Sequence, residues 1–97
     1  MQSLFVIMVK YVKPLEEVDV FLKEHRAFLD AHYAKGDLIC SGRQMPRVGG
    51  VILARGNDRS QVWDIVRQDP FYVNGVAEYD VTEFVPNKAA TGFSFLD

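Results

Sequence analysis

The sequence predicts an α+β fold in which four strands and two helices follow the order β-α-β-β-α-β. Leu4–Val9 is apolar throughout and rich in β-branched residues, which is typical of a central strand covered on both faces. Two later segments have apolar residues at helical spacing, which predicts helices. Two further strand-like segments lie between these predicted helices. Ala77–Phe84 then alternates like a half-exposed strand. This order is that of the ferredoxin-like fold, a four-stranded antiparallel sheet with both helices on one face.

The first helix and second strand have recognisable limits. The helix is expected to begin at Pro14, because proline is tolerated in the first turn. Acidic residues follow it closely, where the positive end of the helix dipole favours them. Gly36 is expected to end the helix, since glycine readily adopts the left-handed conformation found there. Leu38–Gly42 then forms a short second strand.

The middle of the chain predicts a loop, a strand and a helix. Gln44–Val48 is the loop, and Gly49–Arg55 is a strongly apolar third strand. Asn57 or Asp58 is expected to cap the second helix, which runs to Gln68.

The last third of the chain begins with Asp69-Pro70, which closes the second helix because a residue before proline is pushed away from the helical region. Phe71–Gly75 is a turn with room for one helical turn. The tail, about residues 86–97, carries the apolar residues Phe93, Phe95 and Leu96, and we expect it to pack on this chain or on a partner chain. Residues 1–97 are expected to form a single domain.

The second face of the sheet predicts a homodimer. Both central strands, Leu4–Val9 and Gly49–Arg55, are apolar on both sides, yet the two helices cover only one face. A chain of 97 residues offers no third layer, so a second copy is the expected cover, with the two sheets face to face. The sequence leaves open whether the assembly is larger than a dimer.

Composition excludes several classes of function. The net charge of −2 gives no basic surface for nucleic acid or for an anionic membrane. The third strand, GGVILAR, also lacks the aromatic residues with which RNA-recognition domains stack bases. Cys40 is the only cysteine, and no Cys/His cluster has zinc-ligand spacing, so neither a metal nor another cofactor is expected. We expect a cytoplasmic protein without a signal peptide or membrane span.

His25 is the residue that points to a site. It lies on the apolar face of the first helix, together with Phe21, Leu22, Phe28 and Leu29, where an apolar side chain would be expected. A buried imidazole must find a hydrogen-bond partner, or it destabilises the fold. His32 lies seven residues later on the same face and is interpreted as structural, near the helix C-terminus where a cation is favourable.

Asp69 and Ser41 are the predicted neighbours of His25. In the assumed topology, the first helix ends and the second begins at the same edge of the domain. His25, Asp69 and Ser41 all lie roughly 10–16 Å from that edge. Asp69 is expected at a helix C-terminus, where the dipole disfavours its charge and an imidazole N–H would stabilise it. The pair would fix the histidine tautomer and leave the second ring nitrogen for a substrate proton. Ser41 is expected to share a strand face with Ile39 and Arg43.

Other residues are candidates for binding a substrate. Arg43 or Arg47 could hold a carboxylate, because the guanidinium fork matches that group. Phe71 could line a pocket, although packing within the turn is the competing interpretation. Cys40 alternates to the face opposite Ser41 and is interpreted as a small buried residue.

The chain resembles the YCII-related proteins. The resemblance rests on three segments in order: His25-Arg26-Ala27-Phe28-Leu29, Gly36 to Gly42 (GDLICSG), and Asp69-Pro70-Phe71 with Gly75. It implies a dimeric α+β barrel with a His25–Asp69 dyad and a site serine at Ser41. It also implies lyase or isomerase chemistry, as in a dehydrochlorinase or in muconolactone isomerase. In the commonest family pattern, proline follows Ser-Gly. In this chain Arg43 and Gln44 follow Ser41-Gly42 instead.

Two hypotheses for function follow. The first is a small metal-independent enzyme in which His25 is a general acid or base, Asp69 orients it and an arginine binds the carboxylate of a small organic substrate. The second is a dimeric ligand-binding or accessory domain in which the dyad only stabilises the core.

Overall fold

The computed structural model describes residues 3–93, which form four strands and four helices. In chain order these are β1 (Ser3–Tyr11), α1 (Leu15–Val20), α2 (Leu22–Ala34), β2 (Leu38–Arg43), β3 (Gly49–Gly56), α3 (Arg59–Val66), α4 (Pro70–Val73) and β4 (Ala77–Phe84). No helix in this part of the chain is long and apolar enough to cross a lipid bilayer.

The sheet confirms the predicted ferredoxin-like α+β fold. Its strand order is β2-β3-β1-β4, and every neighbouring pair is antiparallel. Ile7 of β1 lies opposite Ile52 of β3 and Val81 of β4, and all three side chains are buried in the core. Alternation in the strands therefore directs one set of apolar residues toward the helices, as the sequence pattern indicates.

The first helical segment is interrupted, whereas the sequence predicted one helix between Pro14 and Gly36. Pro14 occupies the N-cap of α1, and Phe21 separates α1 from α2 with φ −103° and ψ 8°. Helical periodicity alone missed this break because the apolar residues keep their spacing through it. Leu22 and Leu29 of α2 stay only partly buried because they line a cavity above the sheet.

Asp69 does not lie at a helix C-terminus, so that part of the prediction is wrong. The α3 helix is capped at its start by Asp58, whose side chain accepts a hydrogen bond from Gln61, and it ends at Val66. Asp69 instead is the N-cap of α4, with φ −67° and ψ 125°, because Pro70 pushes it into an extended conformation. The possible helical turn in Phe71–Gly75 is thus a short helix that begins at Pro70.

An irregularity in β2 sets the faces of that strand. Leu38 pairs with Ala54 and Cys40 pairs with Leu53, so the register shifts between them. This shift brings Leu38, a core residue, onto the same face as Ser41, which lies opposite Ile52. Strict alternation cannot produce that arrangement. Cys40 is exposed in the single chain, so its predicted burial is wrong.

The second face of the sheet is apolar and incompletely covered. Val6, Met8 and Leu53 are half-buried there, and Phe84 is 42% exposed. In the tail, Pro86 is buried and Phe93 is 58% exposed, and packing of the tail on a partner chain stays a prediction. Phe95 and Leu96 lie outside the described residues.

The start of β3 passes so close to β1 that only glycine fits. A Cβ atom at Gly49 would lie 1.8 Å from the backbone oxygen of Val9. We expect Gly49→Ala to lower the free energy of unfolding by about 1–3 kcal/mol, measured by denaturant or thermal unfolding. Gly42→Ala is the matched control, because a Cβ at Gly42 meets no atom within 4 Å. Equal stability of the two variants would contradict this account.

Candidate active site

A cavity of about 520 Å³ lies between the helices and the β2–β3 side of the sheet. Ligand pockets for small molecules have volumes of this order. Five of the six candidate residues from the sequence line it: His25, Ser41, Arg43, Arg47 and Phe71. The sixth, Asp69, is fully buried and contacts His25.

His25 and Asp69 form a hydrogen-bonded pair. The distance between His25 Nδ1 and Asp69 Oδ1 is 2.8 Å, and the His25 side chain is 14% exposed. Because a carboxylate only accepts, Nδ1 carries the proton. Nε2 has no hydrogen-bond partner among residues 3–93, and the ring lines the cavity. The neutral imidazole therefore offers a basic nitrogen at the cavity wall.

Asp69 accepts hydrogen bonds from three different groups. Besides His25, the backbone N–H of Phe71 donates to Oδ1 at 3.0 Å, and the hydroxyl of Tyr79 donates to Oδ2 at 2.5 Å. A carboxylate removed from water is strongly destabilising unless such donors compensate it. The three donors explain how a fully buried Asp69 is accommodated.

Tyr79 was not identified from the sequence. It lies opposite Val9, so the register of β4 directs its ring toward the helices, and the alternation of that strand was the available signal. Burial raises the pKa of the Tyr79 hydroxyl well above its ordinary value, and the charge of Asp69 adds to the effect. The hydroxyl therefore remains a proton donor to Asp69.

Phe71 supports the imidazole from one side. Its ring is parallel to the His25 ring, with centroids 4.0 Å apart and planes inclined by 7°. Phe71 is 1% exposed, so most of its surface packs in the core while one part reaches the cavity. Stacking and the Asp69 hydrogen bond together restrict both torsions of the His25 side chain.

Ser41 faces the cavity and is paired with a residue that the sequence analysis missed. Its hydroxyl shares a hydrogen bond with the hydroxyl of Tyr33, at 2.6 Å. Tyr33 follows His25 by eight residues on α2, which brings its ring to the edge strand β2. No hydrogen bond joins Ser41 to His25 in this part of the chain.

The two candidate arginines differ in their surroundings. Arg47 donates to Asp19 at 2.6 and 3.4 Å, and its guanidinium lies 5.8 Å from the ring centre of Tyr11. The hydrogen bond from Arg47 lowers the pKa of the Asp19 carboxyl. Arg43 is exposed at the cavity and forms no ion pair with any described residue.

Comparison with known proteins agrees with the resemblance seen in the sequence. The family model for the YCII-related domain matches residues 3–85. The chain belongs to the YCII-related domain family. No curated protein gives a significant match.

A solved structure shares the fold of this YCII-related domain. It is the 5-chloro-2-hydroxyhydroquinone dehydrochlorinase TftG from Burkholderia phenoliruptrix AC1100, in complex with 2,5-dihydroxybenzoquinone. The two chains are 19% identical, with a TM-score of 0.72, and the match covers 84% of this chain and 93% of the other.

His32 lies apart from the cavity of this YCII-related domain. It is buried, with Nδ1 2.9 Å from Asp37 Oδ2 and Nε2 3.1 Å from Gln68 Oε1. These contacts tie α2 to the segments before β2 and after α3, which agrees with the structural interpretation. Within the described residues, no group of three or more His, Cys, Asp or Glu side chains is arranged to hold a metal ion.

Proposed function

We propose that this YCII-related domain is an acid–base enzyme of lyase or isomerase type that acts on a small carboxylated organic substrate. The observation that carries the proposal is the His25–Asp69 pair, with Nδ1 bound to a buried carboxylate and Nε2 at the wall of a cavity. A histidine oriented in this way is suited to remove a proton next to a carbonyl group.

The proposed reaction begins when Nε2 of His25 takes a proton from the carbon beside the substrate carbonyl. The electron pair of that C–H bond then forms a double bond. In a lyase the bond between carbon and the leaving group breaks, and the leaving group departs with the electron pair of that bond, as chloride does in a dehydrochlorination. In an isomerase the proton returns to a different carbon. The imidazolium that forms is stabilised by Asp69 and by the face of the Phe71 ring.

The shared fold supports this reaction class. TftG is named as a dehydrochlorinase and was solved with a small quinone, and its fold matches 84% of this chain. Ser41, oriented by Tyr33, is proposed to donate a hydrogen bond to a substrate oxygen. Phe71 is proposed to form one side of the binding surface beside His25.

Arg43 is proposed to bind the substrate carboxylate. Both arginines line the cavity, but the fork of Arg47 is already occupied by Asp19. Arg47 is therefore assigned to holding the β2–β3 loop against α1. Arg43 has no competing carboxylate among the described residues, so its guanidinium is available for a bidentate contact.

The second candidate function is a non-enzymatic ligand-binding or accessory domain. The observation that favours it is the complete pairing of Asp69, whose three hydrogen bonds join α2, α4 and β4 and would stabilise the core without any chemistry. Experiments on His25 separate the two functions.

We expect His25→Ala to lower turnover by about 10²–10⁴-fold, because the proton acceptor is lost. The measurement is chloride release and deuterium uptake from D₂O across a panel of small organic acids and chlorinated phenols, including 5-chloro-2-hydroxyhydroquinone and muconolactone. His32→Gln is the control, since His32 does not line the cavity.

Undiminished turnover in His25→Ala would refute the mechanism. A wild-type protein inactive on the whole panel, with His25→Ala lowering only thermal stability, would favour the accessory domain.

We expect Arg43→Gln to weaken the binding of a carboxylate probe by about tenfold or more, because a charge-assisted hydrogen bond contributes about 1.5–3 kcal/mol. Muconate binding measured by calorimetry at low salt is the readout. Arg47→Gln is the matched control and should have a smaller effect, since it breaks an exposed ion pair with Asp19. A larger loss in Arg47→Gln would reverse the assignment of the two arginines.

We also propose that two copies of the chain pair through the second face of the sheet. The half-buried residues Val6, Met8 and Leu53 and the exposed Phe84 form an apolar surface there, which the helices do not cover. We expect Leu53→Glu to convert a dimer to a monomer in sedimentation or light-scattering measurements. Val20→Glu should leave the assembly intact, because Val20 is 67% exposed on α1, away from that face. A monomeric wild type would disprove the dimer.

A further inference from the structure

The second oxygen of the Asp69 carboxylate is held by a residue outside the cavity. Tyr79 of β4 donates its hydroxyl proton to Oδ2, while His25 and the Phe71 amide bind Oδ1. Tyr79 does not line the cavity that His25 faces; it borders a separate depression formed with Trp63 and Tyr72. A substrate beside His25 therefore does not reach Tyr79, and any effect of this residue on chemistry must pass through Asp69.

The Tyr79 hydroxyl has two physical consequences for Asp69. It fixes the rotation of the carboxylate, because a plane held at both oxygens cannot turn away from His25. It also disperses part of the negative charge, which weakens the attraction of the carboxylate for a proton on the imidazole. The first consequence concerns orientation, and the second concerns the pH range over which His25 is neutral.

We propose that Tyr79 is a positioning residue that orients the Asp69 carboxylate and lowers the pH at which the imidazolium of His25 loses the proton on Nε2. The proposal rests on the proposed function, in which the neutral His25 accepts a substrate proton. Without the Tyr79 hydroxyl, the full charge of Asp69 would act on the imidazolium, and His25 would stay protonated to higher pH.

Other charged or titratable groups also face the cavity around His25. They are Asp19 of α1, Arg26 of α2, Arg43 of β2, Arg47 of the following loop and Tyr11 of β1. None of them hydrogen-bonds to Oδ2 of Asp69, and Tyr79→Phe keeps the ring and removes only the hydroxyl, on which Tyr11 also acts electrostatically. A change in the titration of His25 can then be attributed to the Tyr79–Asp69 hydrogen bond.

The experiment is an NMR titration of the two histidine rings in the full chain. Long-range ¹H–¹⁵N spectra report both the tautomer and the titration midpoint of each ring, and a His25→Ala spectrum assigns them. We expect Tyr79→Phe to raise the midpoint of His25 by about half to one pH unit, while His32 is unaffected. With an active substrate, the acid limb of the pH–rate profile should move in the same direction.

Tyr72→Phe is the matched control. The Tyr72 ring contacts the Tyr79 ring, with centroids 5.8 Å apart, but its hydroxyl has no hydrogen-bond partner in the described residues and is not bound to Asp69. This variant should leave both midpoints at their wild-type values. A His25 midpoint that is unchanged or lowered in Tyr79→Phe would overturn the proposal.

A second measurement applies if Tyr79→Phe does not fold. Site-specific 3-fluorotyrosine at position 79 keeps the ring and the hydroxyl but makes the phenol a stronger donor, so it should lower the His25 midpoint. A raised or unchanged midpoint there would also overturn the proposal. The titration needs no substrate, so its outcome is independent of turnover. If His25→Ala remains active, the proposed function fails; if only the midpoint fails to move, the role of Tyr79 alone is disproved.

Discussion

The burial of the Asp69 carboxylate is the constraint on which the rest of the site depends. A charged group with no exposure must be surrounded by donors, or the fold is destabilised by several kcal/mol per ion. Its three donors come from α2, α4 and β4, so the carboxylate connects the helical layer to the edge of the sheet. The orientation of His25 is a consequence of this arrangement, because its Nδ1–H is one of the donors that Asp69 requires.

A short stretch of backbone produces most of this geometry. Pro70 keeps Asp69 extended, so its side chain caps α4 through the Phe71 amide. The same turn of helix places the Phe71 ring parallel to the imidazole. The carboxylate that binds His25 and the ring that stacks on it are thus separated by one residue and joined by the hydrogen bond from the Phe71 amide to Asp69. This coupling explains how a site with few polar groups holds its histidine in one orientation.

The charge of the cavity differs from that of the whole chain. The chain carries a net charge of −2, yet the cavity lining contains Arg26, Arg43 and Arg47 against the single carboxylate of Asp19. An anionic substrate is therefore compatible with an acidic protein. The Arg47–Asp19 pair is exposed and contributes little to stability, so its main effect is to hold Arg47 against α1. Arg26 and Arg43 are the lining cations that form no ion pair within residues 3–93.

The sequence by itself predicted the order of the strands, the family and most of the residues that meet at the cavity. Apolar periodicity and the proline and glycine positions were enough to predict the sheet, because these patterns reflect local backbone preferences. His25 stood out because an imidazole interrupts an apolar face, and the Asp-Pro pair marked Asp69. The reason given for Asp69 was wrong, since helix limits near a proline depend on packing as well as on propensity.

Only the tertiary structure decided which side chains meet across the fold. Tyr79 binds Asp69, Tyr33 binds Ser41, and Asp19 occupies Arg47, although these partners lie 10, 8 and 28 residues apart in the chain. The register shift in β2 sets the face on which Ser41 lies, and the break at Phe21 ends the helix that carries Asp19; neither leaves a clear periodic signal. Hydrogen bonds of this kind depend on distances of a few tenths of an ångström, which residue types and spacing do not specify.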